Sequence, residues 1–354
     1  MSDECPKAMI FGPCGGVRND GSCEVDARPC PFLGAHVTPP APERANRLEL
    51  SLDKPAIVVD VRAPPRWSGD HELLWRATAD ALQGCVALIG EHVDNAAGGD
   101  DSGALPAQRV IKILRDAGVG VIATVTGRDR DLLNATELIH AYRDAGVTAI
   151  HCVTGDHPAA VGIDRPARFG AEAITLIAAS LDAGVPATVG ESPASAGRRT
   201  ERLALKQSAG AALCLLNHAG EADDLIVFAD ASRAAGVVLP LIAPVPMVAD
   251  RHAALGLAAF PGLRLPHGFL DEIIDASDPL TAGLDASREF IRACAMSTRF
   301  AGINLSGAAG GLDPWDRLRL TSRFIEQARA ELVGSPTTPG RHGQGARDSV
   351  NVDV

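Results

Sequence analysis

The stretch "CPKAMIFGPCGGVRNDGSCEVDARPC" carries four of the chain's eight cysteines, Cys5, Cys14, Cys23 and Cys30. Thiolates are metal ligands and redox groups. In a reducing compartment, a cluster of them points to metal or redox chemistry rather than to disulfides. The spacing is wider than that of Cys-x-x-Cys pairs. Its glycines permit the sharp turns that aim sulfurs inward. The other four, Cys85, Cys152, Cys214 and Cys294, sit in apolar runs or a helix and read as core.

A second set of chemically capable residues stands at the ends of apolar runs. It comprises Asp60, Glu91 and His92, Arg128 and Asp129, Asp156 and His157, Glu191, and Asn217 and His218. Taken singly, each is merely where polarity resumes. Taken together, they form a polar ring if the runs are strands of one barrel, because barrel enzymes place their chemistry where strands end.

The runs support that condition. They are "AIVVDV" (56–61), "GCVALIG" (84–90), "GVIATVTG" (120–127), "AIHCVTG" (149–155), "PATVG" (186–190), "ALCLLN" (212–217), "PLIAPV" (240–245) and "AGINL" (301–305). Helix-like segments such as "LPAQRVIKILRDAG", "NATELIHAYRDAG", "RTERLALKQSAG" and "DDLIVFADASRAAG" lie between them, with apolar positions three and four apart. Several end in Ala-Gly, and glycine just past a helix takes up the left-handed cap. Strand–helix alternation with near-continuous apolar strands implies a parallel sheet covered on both faces. Eight such strands predict an α/β fold, a (β/α)8 TIM barrel, with a small N-terminal cysteine-rich metal-binding segment. No G-x-G-x-x-G follows the first strand, which argues against an open dinucleotide-binding sheet. The expected divisions are a cysteine-rich segment over 1–35, a proline-rich linker over 36–47, the barrel over 48–334 and a disordered tail over 335–354.

Composition bounds the partners. Of 354 residues, 46% are hydrophobic but only 4% aromatic, so the core is aliphatic. The net charge of −11 disfavours nucleic acid and anionic membrane surfaces. The start "MSDECPKAMIFG" is not a signal peptide, and no apolar run approaches the roughly 20 residues of a membrane helix. A cytoplasmic protein is expected.

The stretch "VIATVTGRDRDLLNATELIHAYRDAGVTAIHCVTGDHP" resembles the central strands of methylenetetrahydrofolate reductases. There one strand ends near Thr-Arg-Asp-Arg and the next in Gly-Asp-x-Pro. The matching residues are Thr126, Arg128, Asp129 and Arg130, then Gly155, Asp156, His157 and Pro158. Downstream, "LKQSAGAALCLLN" is similar to the family's Lys-x-x-Ala-Gly-Ala segment, with Lys206, Ala209, Gly210 and Asn217 in place and Asn for the usual Gln. "LPLIAPVPMV", "GLRLP" and "AGINL" keep the family's order, so the resemblance spans about residues 48–330. The N-terminal stretch resembles a small cysteine domain found beside such reductases, fused or as a partner subunit. With all four thiols present, it implies a structural zinc site, because four thiolates close a tetrahedral ion. A four-cysteine iron–sulfur cluster uses the same ligands.

The resemblance implies an oxidoreductase of one-carbon metabolism that reduces 5,10-methylenetetrahydrofolate to 5-methyltetrahydrofolate with NADH or NADPH. An acid must protonate the bridging amine, and a hydride then adds to the methylene carbon, in most of the family from FAD. The family's acid sits at the end of the first strand before a proline pair. "VVDVRAPP" offers Asp60 there, with Glu91 second. Asp156 matches the aspartate near the flavin. Arg128, Asp129, Gly155, His157, Lys206 and Arg168 are candidates for the cofactor, and Asn217 for the folate. Thr154 replaces an arginine and Thr124 a histidine of the flavin site, which leaves FAD open. Some members transfer hydride directly from NADH. Two other functions fit: an accessory subunit docking to a partner through the zinc segment, and methyl transfer in the same pocket. A partner subunit or a homo-oligomer is compatible with each.

Overall fold

The computed structural model describes residues 5–33, 48–50, 52–53, 55–91, 105–258, 262–307 and 312–333. His92, the expected linker over 36–47 and the expected tail over 335–354 lie outside them.

Strand and helix alternate from β1 (Ala56–Val61) through α1 (Gly69–Ala81), β2 (Val86–Ile89), α2 (Pro106–Asp116), β3 (Gly120–Thr126) and α3 (Leu132–Ala145). They continue as β4 (Ala149–Val153), α4 (Ala173–Asp182), β5 (Ala187–Glu191), α5 (Arg199–Ser208), β6 (Leu213–Leu216) and α6 (Ala222–Ala234). After β7 (Leu241–Pro246) come three helices, α7 (Arg251–Ala258), α8 (Phe269–Asp275) and α9 (Pro279–Met296), then β8 (Gly302–Ser306) and α10 (Pro314–Val333). Each apolar run of the sequence is one strand. All eight pair in parallel and in order, and β8 returns to β1, closing the barrel. The architecture is the (β/α)8 barrel that the sequence predicts.

Local chemistry sets the element ends. Pro106 opens α2, where a missing N–H costs nothing. Asp131 caps α3 by accepting from the Asn134 amide at 2.8 Å, and Gly146 ends it in the left-handed conformation, φ 96°. The next strand begins three residues later.

Side chains alternate along each strand, and the alternation sorts the interior into layers. Val58, Leu88, Ile122, Ala149, Leu213 and Ile242 point inward and plug the lower barrel. Two residues further along, the inward positions turn polar on β1, β3 and β4, at Asp60, Thr124 and His151, and Asn304 of β8 joins them, while β6 stays apolar at Leu215. The outward positions, such as Ile57, Val59, Val121 and Ile150, pack under the helices. No helix among the described residues is long and apolar enough to cross a membrane.

Residues 5–33 form a compact lobe with little regular structure, a short 3-10 turn at Pro31–Leu33 and one bridge between Ser22 and Pro29. Met9, Val17, Cys30 and Phe32 are its core.

The β1–β8 seam depends on Gly302. A Cβ there would lie 2.2 Å from the Ala56 carbonyl oxygen and 2.7 Å from its nitrogen. Backbone cannot yield as a side chain does. Gly302→Ala is therefore expected to cost roughly 2–4 kcal/mol, read as a lower urea midpoint with an unchanged slope.

Candidate functional site

A cavity of about 1200 Å³ opens at the carboxyl ends of the strands. Asp60, Glu91, Arg128, Gly155, Asp156, Lys206 and Asn217, all singled out in the sequence, line it. Asp129 and His157 do not. Asp129 adopts φ 58° and turns outward, holding Arg165 at 2.7 Å and the Arg168 amide at 3.2 Å. His157 caps the 3-10 turn at Pro158–Val161 and stacks on Phe169. Arg168 is exposed and does not line the cavity.

Asp60 sits one inward step above the apolar plug, on β1. It faces the cavity and is half-buried, with its Oδ1 out of reach of solvent. Burial pushes its carboxyl up to about 7, against a smaller downward pull from Asn304. Its Oδ1 has no hydrogen-bond partner, and neither has Oδ1 of Asn304 on the adjoining β8. Glu91 is differently placed. Its Oε2 accepts from the Thr126 amide at 3.0 Å and pairs with Arg130 at 2.7 Å, which ties the ends of β2 and β3 together. Of the two expected acids, Glu91 is tied to Arg130 and only Asp60 is free of a cation.

The expected cofactor cations are also committed. Lys206 pairs with the buried Glu191 at 2.8 Å and donates to the Gly190 carbonyl at 2.5 Å. Arg199 approaches Glu191 from the other side at 3.5 Å. Burial pushes the Glu191 carboxyl up, but Lys206 and Arg199 outweigh it and hold it below its ordinary value. Arg128 is buried and donates to the Asp156 carbonyl at 3.2 Å.

Two histidines line the cavity without having been assigned a role from sequence. His151 Nδ1 lies 3.0 Å from Thr188 Oγ1, and His218 Nε2 lies 2.9 Å from Ser306 Oγ. Burial lowers both to about 4, so both rings are neutral at working pH. Strand parity would have revealed His151, which shares an inward face with Ala149.

The cysteine lobe supplies a wall of the same cavity, through Lys7, Cys14, Gly15 and Gly16. It is clamped over β4–β6. Glu172 Oε1 accepts from the Ile10 and Phe11 amides at 3.1 and 2.9 Å, while its Oε2 pairs with Arg202 at 3.2 Å. Arg202 also donates to the Phe11 carbonyl, Arg199 to the Cys14 carbonyl and Ser195 to the Gly15 carbonyl. Glu24, fully buried, pairs with Lys7 at 2.5 Å and accepts from the His157 amide at 3.1 Å. Gly16 is required beneath it, since a Cβ would meet Glu24 Oε2 at 1.6 Å. Asp156 is raised by burial and eased back by Lys7.

Cys5, Cys14, Cys23 and Cys30 all line one small cavity of about 20 Å³, room for a single water-sized particle. Burial pushes the Cys14 thiol up to about 11, with Lys7 opposing and Glu24 adding. Among the described residues, no group of three His, Cys, Asp or Glu side chains is arranged to hold a metal ion. The donor types suit a thiophilic ion, but this arrangement is not a closed ligand set.

Together these features define a barrel with a raised-pKa carboxyl above an apolar plug, roofed on one side by a cysteine lobe. Residues 53–298 match the family described as Methylenetetrahydrofolate reductase, and residues 1–53 the one described as Methylene-tetrahydrofolate reductase C terminal. The chain belongs to the methylenetetrahydrofolate reductase family. No curated protein matches it. Similar solved structures include a mutant tryptophan synthase alpha-subunit from Pyrococcus furiosus, at 12% identity and TM-score 0.45 over 80% of this chain and 100% of that one. Another is a putative dihydrodipicolinate synthetase from Pseudomonas aeruginosa, at 13% identity and TM-score 0.39 over 77% and 99%. Likeness at this level says nothing of the site.

The clamp is testable. Glu172→Ala leaves Arg202 buried without its carboxylate and frees two lobe amides, a loss of roughly 3 kcal/mol. Trypsin should then cut after Lys7 and Arg18 at least tenfold faster than in the parent, while the barrel fragment persists on the gel.

Proposed function

We propose that the protein reduces 5,10-methylenetetrahydrofolate to 5-methyltetrahydrofolate, with Asp60 as the acid. The carrying observation is its carboxyl, buried at a strand end, raised to about 7 and left with an open oxygen toward the cavity. A protonated Asp60 donates its proton to the bridging nitrogen of the folate. The five-membered ring opens to an iminium, and a hydride adds to the methylene carbon to give the methyl group. The neutral Asn304 beside Asp60 adds no charge that would strip the proton early. Neutral His151 and His218 offer polar edges to the ring system without adding positive charge next to the iminium.

A reduced nicotinamide, NADH or NADPH, supplies the hydride when bound, directly or through FAD. The departures at Thr154 and Thr124 favour direct transfer. So does the commitment of Arg128 and Lys206 to internal partners. Asn217, whose amide lies 3.5 Å from Ser192 Oγ, faces the cavity where the folate ring would sit. The accessory-subunit reading draws on the lobe as a docking module, but the lobe's inner face is spent on its own barrel, which favours catalysis.

The deciding assay is anaerobic oxidation of NADH and, separately, of NADPH with 5,10-methylenetetrahydrofolate, each with and without added FAD. Turnover in none of these conditions sinks the reductase reading. With turnover, kcat should fall above pH 7 as one group ionises, and Asp60→Asn should lower it about 10²–10⁴-fold. The same group leaves a mark on stability. Its pKa is near 3.8 unfolded and about 7 folded. Between these values the folded state holds a proton that the unfolded state has lost, so stability falls as pH rises through that window. Asp60→Asn should therefore be more stable than the parent at pH 8, by roughly 1–4 kcal/mol, and equal to it at pH 4.

We also propose that the four lobe thiolates close on one zinc ion. Support comes from their convergence on one small cavity and from the sulfur-only donor set. Elemental analysis should give one zinc per chain, falling below half in Cys14→Ser, with a lower melting temperature. Metal content unchanged by that substitution, or iron in place of zinc, would refute the assignment.

A further inference from the structure

Among the described residues, five buried polar side-chain atoms lack a hydrogen-bond partner. Four of them belong to residues lining the cavity: Asp60 Oδ1, Asn304 Oδ1, Trp75 Nε1 and Arg317 Nε. They come from β1, β8, α1 and α10, all on one side of the barrel. The opposite side, over β4–β6, is roofed by the lobe and its buried charges are paired. A buried donor or acceptor without a partner is costly, and a cluster of them marks where a partner is missing.

On this side the cavity reaches between two helices. Leu74 and Trp75 of α1 and Leu318 and Ile325 of α10 line it, giving an apolar slot. Its unpartnered polar atoms are donors, the Trp75 indole N–H and the Arg317 guanidinium, beside the Thr78 and Thr321 hydroxyls, with Arg62 also on the cavity wall. No carboxylate among the described residues pairs with Arg317. Burial and the nearby Arg62 both press against its charge, which an anion would relieve. Residue 317 lies beyond the region 53–298 that matches the family, so the family assignment says nothing of it.

We propose that the slot between α1 and α10 binds an aromatic group bearing an anionic substituent, with Arg317 as the charge anchor and Trp75 Nε1 as a second donor. Naming the source rests on the folate-reductase reading. Either the p-aminobenzoyl-glutamate arm of the folate or the adenosine diphosphate part of the dinucleotide has this chemistry. Deeper in, protonated Asp60 donates and the orphan Oδ1 of Asn304 accepts, so one elongated ligand would meet the acid first and the Trp75 and Arg317 donors last.

Calorimetry on the full chain tests this without turnover, using p-aminobenzoyl-glutamate and ADP-ribose as separate probes. Arg317→Gln should weaken one of them about tenfold or more, as expected for a lost charge-assisted hydrogen bond. Arg317→Lys should keep part of the affinity, and Trp75→Phe, which keeps a smaller aromatic ring and drops the N–H, should weaken the same probe. Loss of p-aminobenzoyl-glutamate affinity assigns the slot to the substrate arm, and loss of ADP-ribose affinity to the dinucleotide. The proposal is overturned if neither probe binds the parent at millimolar concentration, or if both bind folded Arg317→Gln and Arg317→Lys as they bind the parent. A chain that binds a probe through Arg317 yet never oxidises NADH or NADPH would sink the reductase reading and leave the slot standing.

Discussion

Closing eight parallel strands through the β1–β8 pairing fixes almost everything else in this molecule. A closed parallel sheet puts all eight carboxyl ends at one mouth, and the two-residue alternation decides which side chain at each end looks inward. Because Val58 is inward and apolar, Asp60 is inward and polar one step higher. The same rule lifts His151 above Ala149. The register pairs Val58 with Asn304 and so brings the Asn304 amide beside Asp60. The plug below keeps water from reaching Asp60 from beneath. The raised carboxyl is thus a consequence of barrel geometry and needs no special charge to produce it.

The mouth is asymmetric. Over β4–β6 lie Glu172, Glu191, Lys206, Arg199 and Arg202, all buried and all paired, with Glu24 and Lys7 added by the lobe. A buried pair contributes little net stability, but removing one member leaves an uncompensated charge. This half is therefore built for fixity. Its cations are each bound to a buried carboxylate of the protein. Around β8, β1, α1 and α10 the reverse holds, and polar atoms are left open. Rigidity and ligand binding are divided between the two halves of one ring.

Much of this was legible in the sequence. Each apolar run became a strand within two residues of its ends, because strands buried on both faces need continuous apolar residues and the Ala-Gly helix ends mark where they restart. The four cysteines do converge on one cavity. Other expectations went astray for reasons of partnership, which spacing does not encode. Lys206 reads as a phosphate ligand until Glu191, fifteen residues earlier, is seen to take it. Asp129 and His157 sit beside cavity residues in the chain but face outward, Asp129 because a left-handed backbone turns it away. Arg317 was invisible, since nothing local distinguishes it from the other arginines of α10. Only the absence of a partner in three dimensions does.

That absence has a thermodynamic side. Holding Asp60 protonated, and the Trp75 and Arg317 donors unpaired, makes the empty protein less stable than a fully satisfied barrel would be. A ligand that pairs these atoms recovers that stability as binding free energy, so affinity and empty-state stability trade against each other at the same four atoms. The lobe cannot relieve them, because its contacts lie on the opposite half. Nor can the strands, whose backbone groups are already spent on the ladder. In the proposed complex a ligand from solution supplies the missing partners, with its negative charge toward Arg317 of α10.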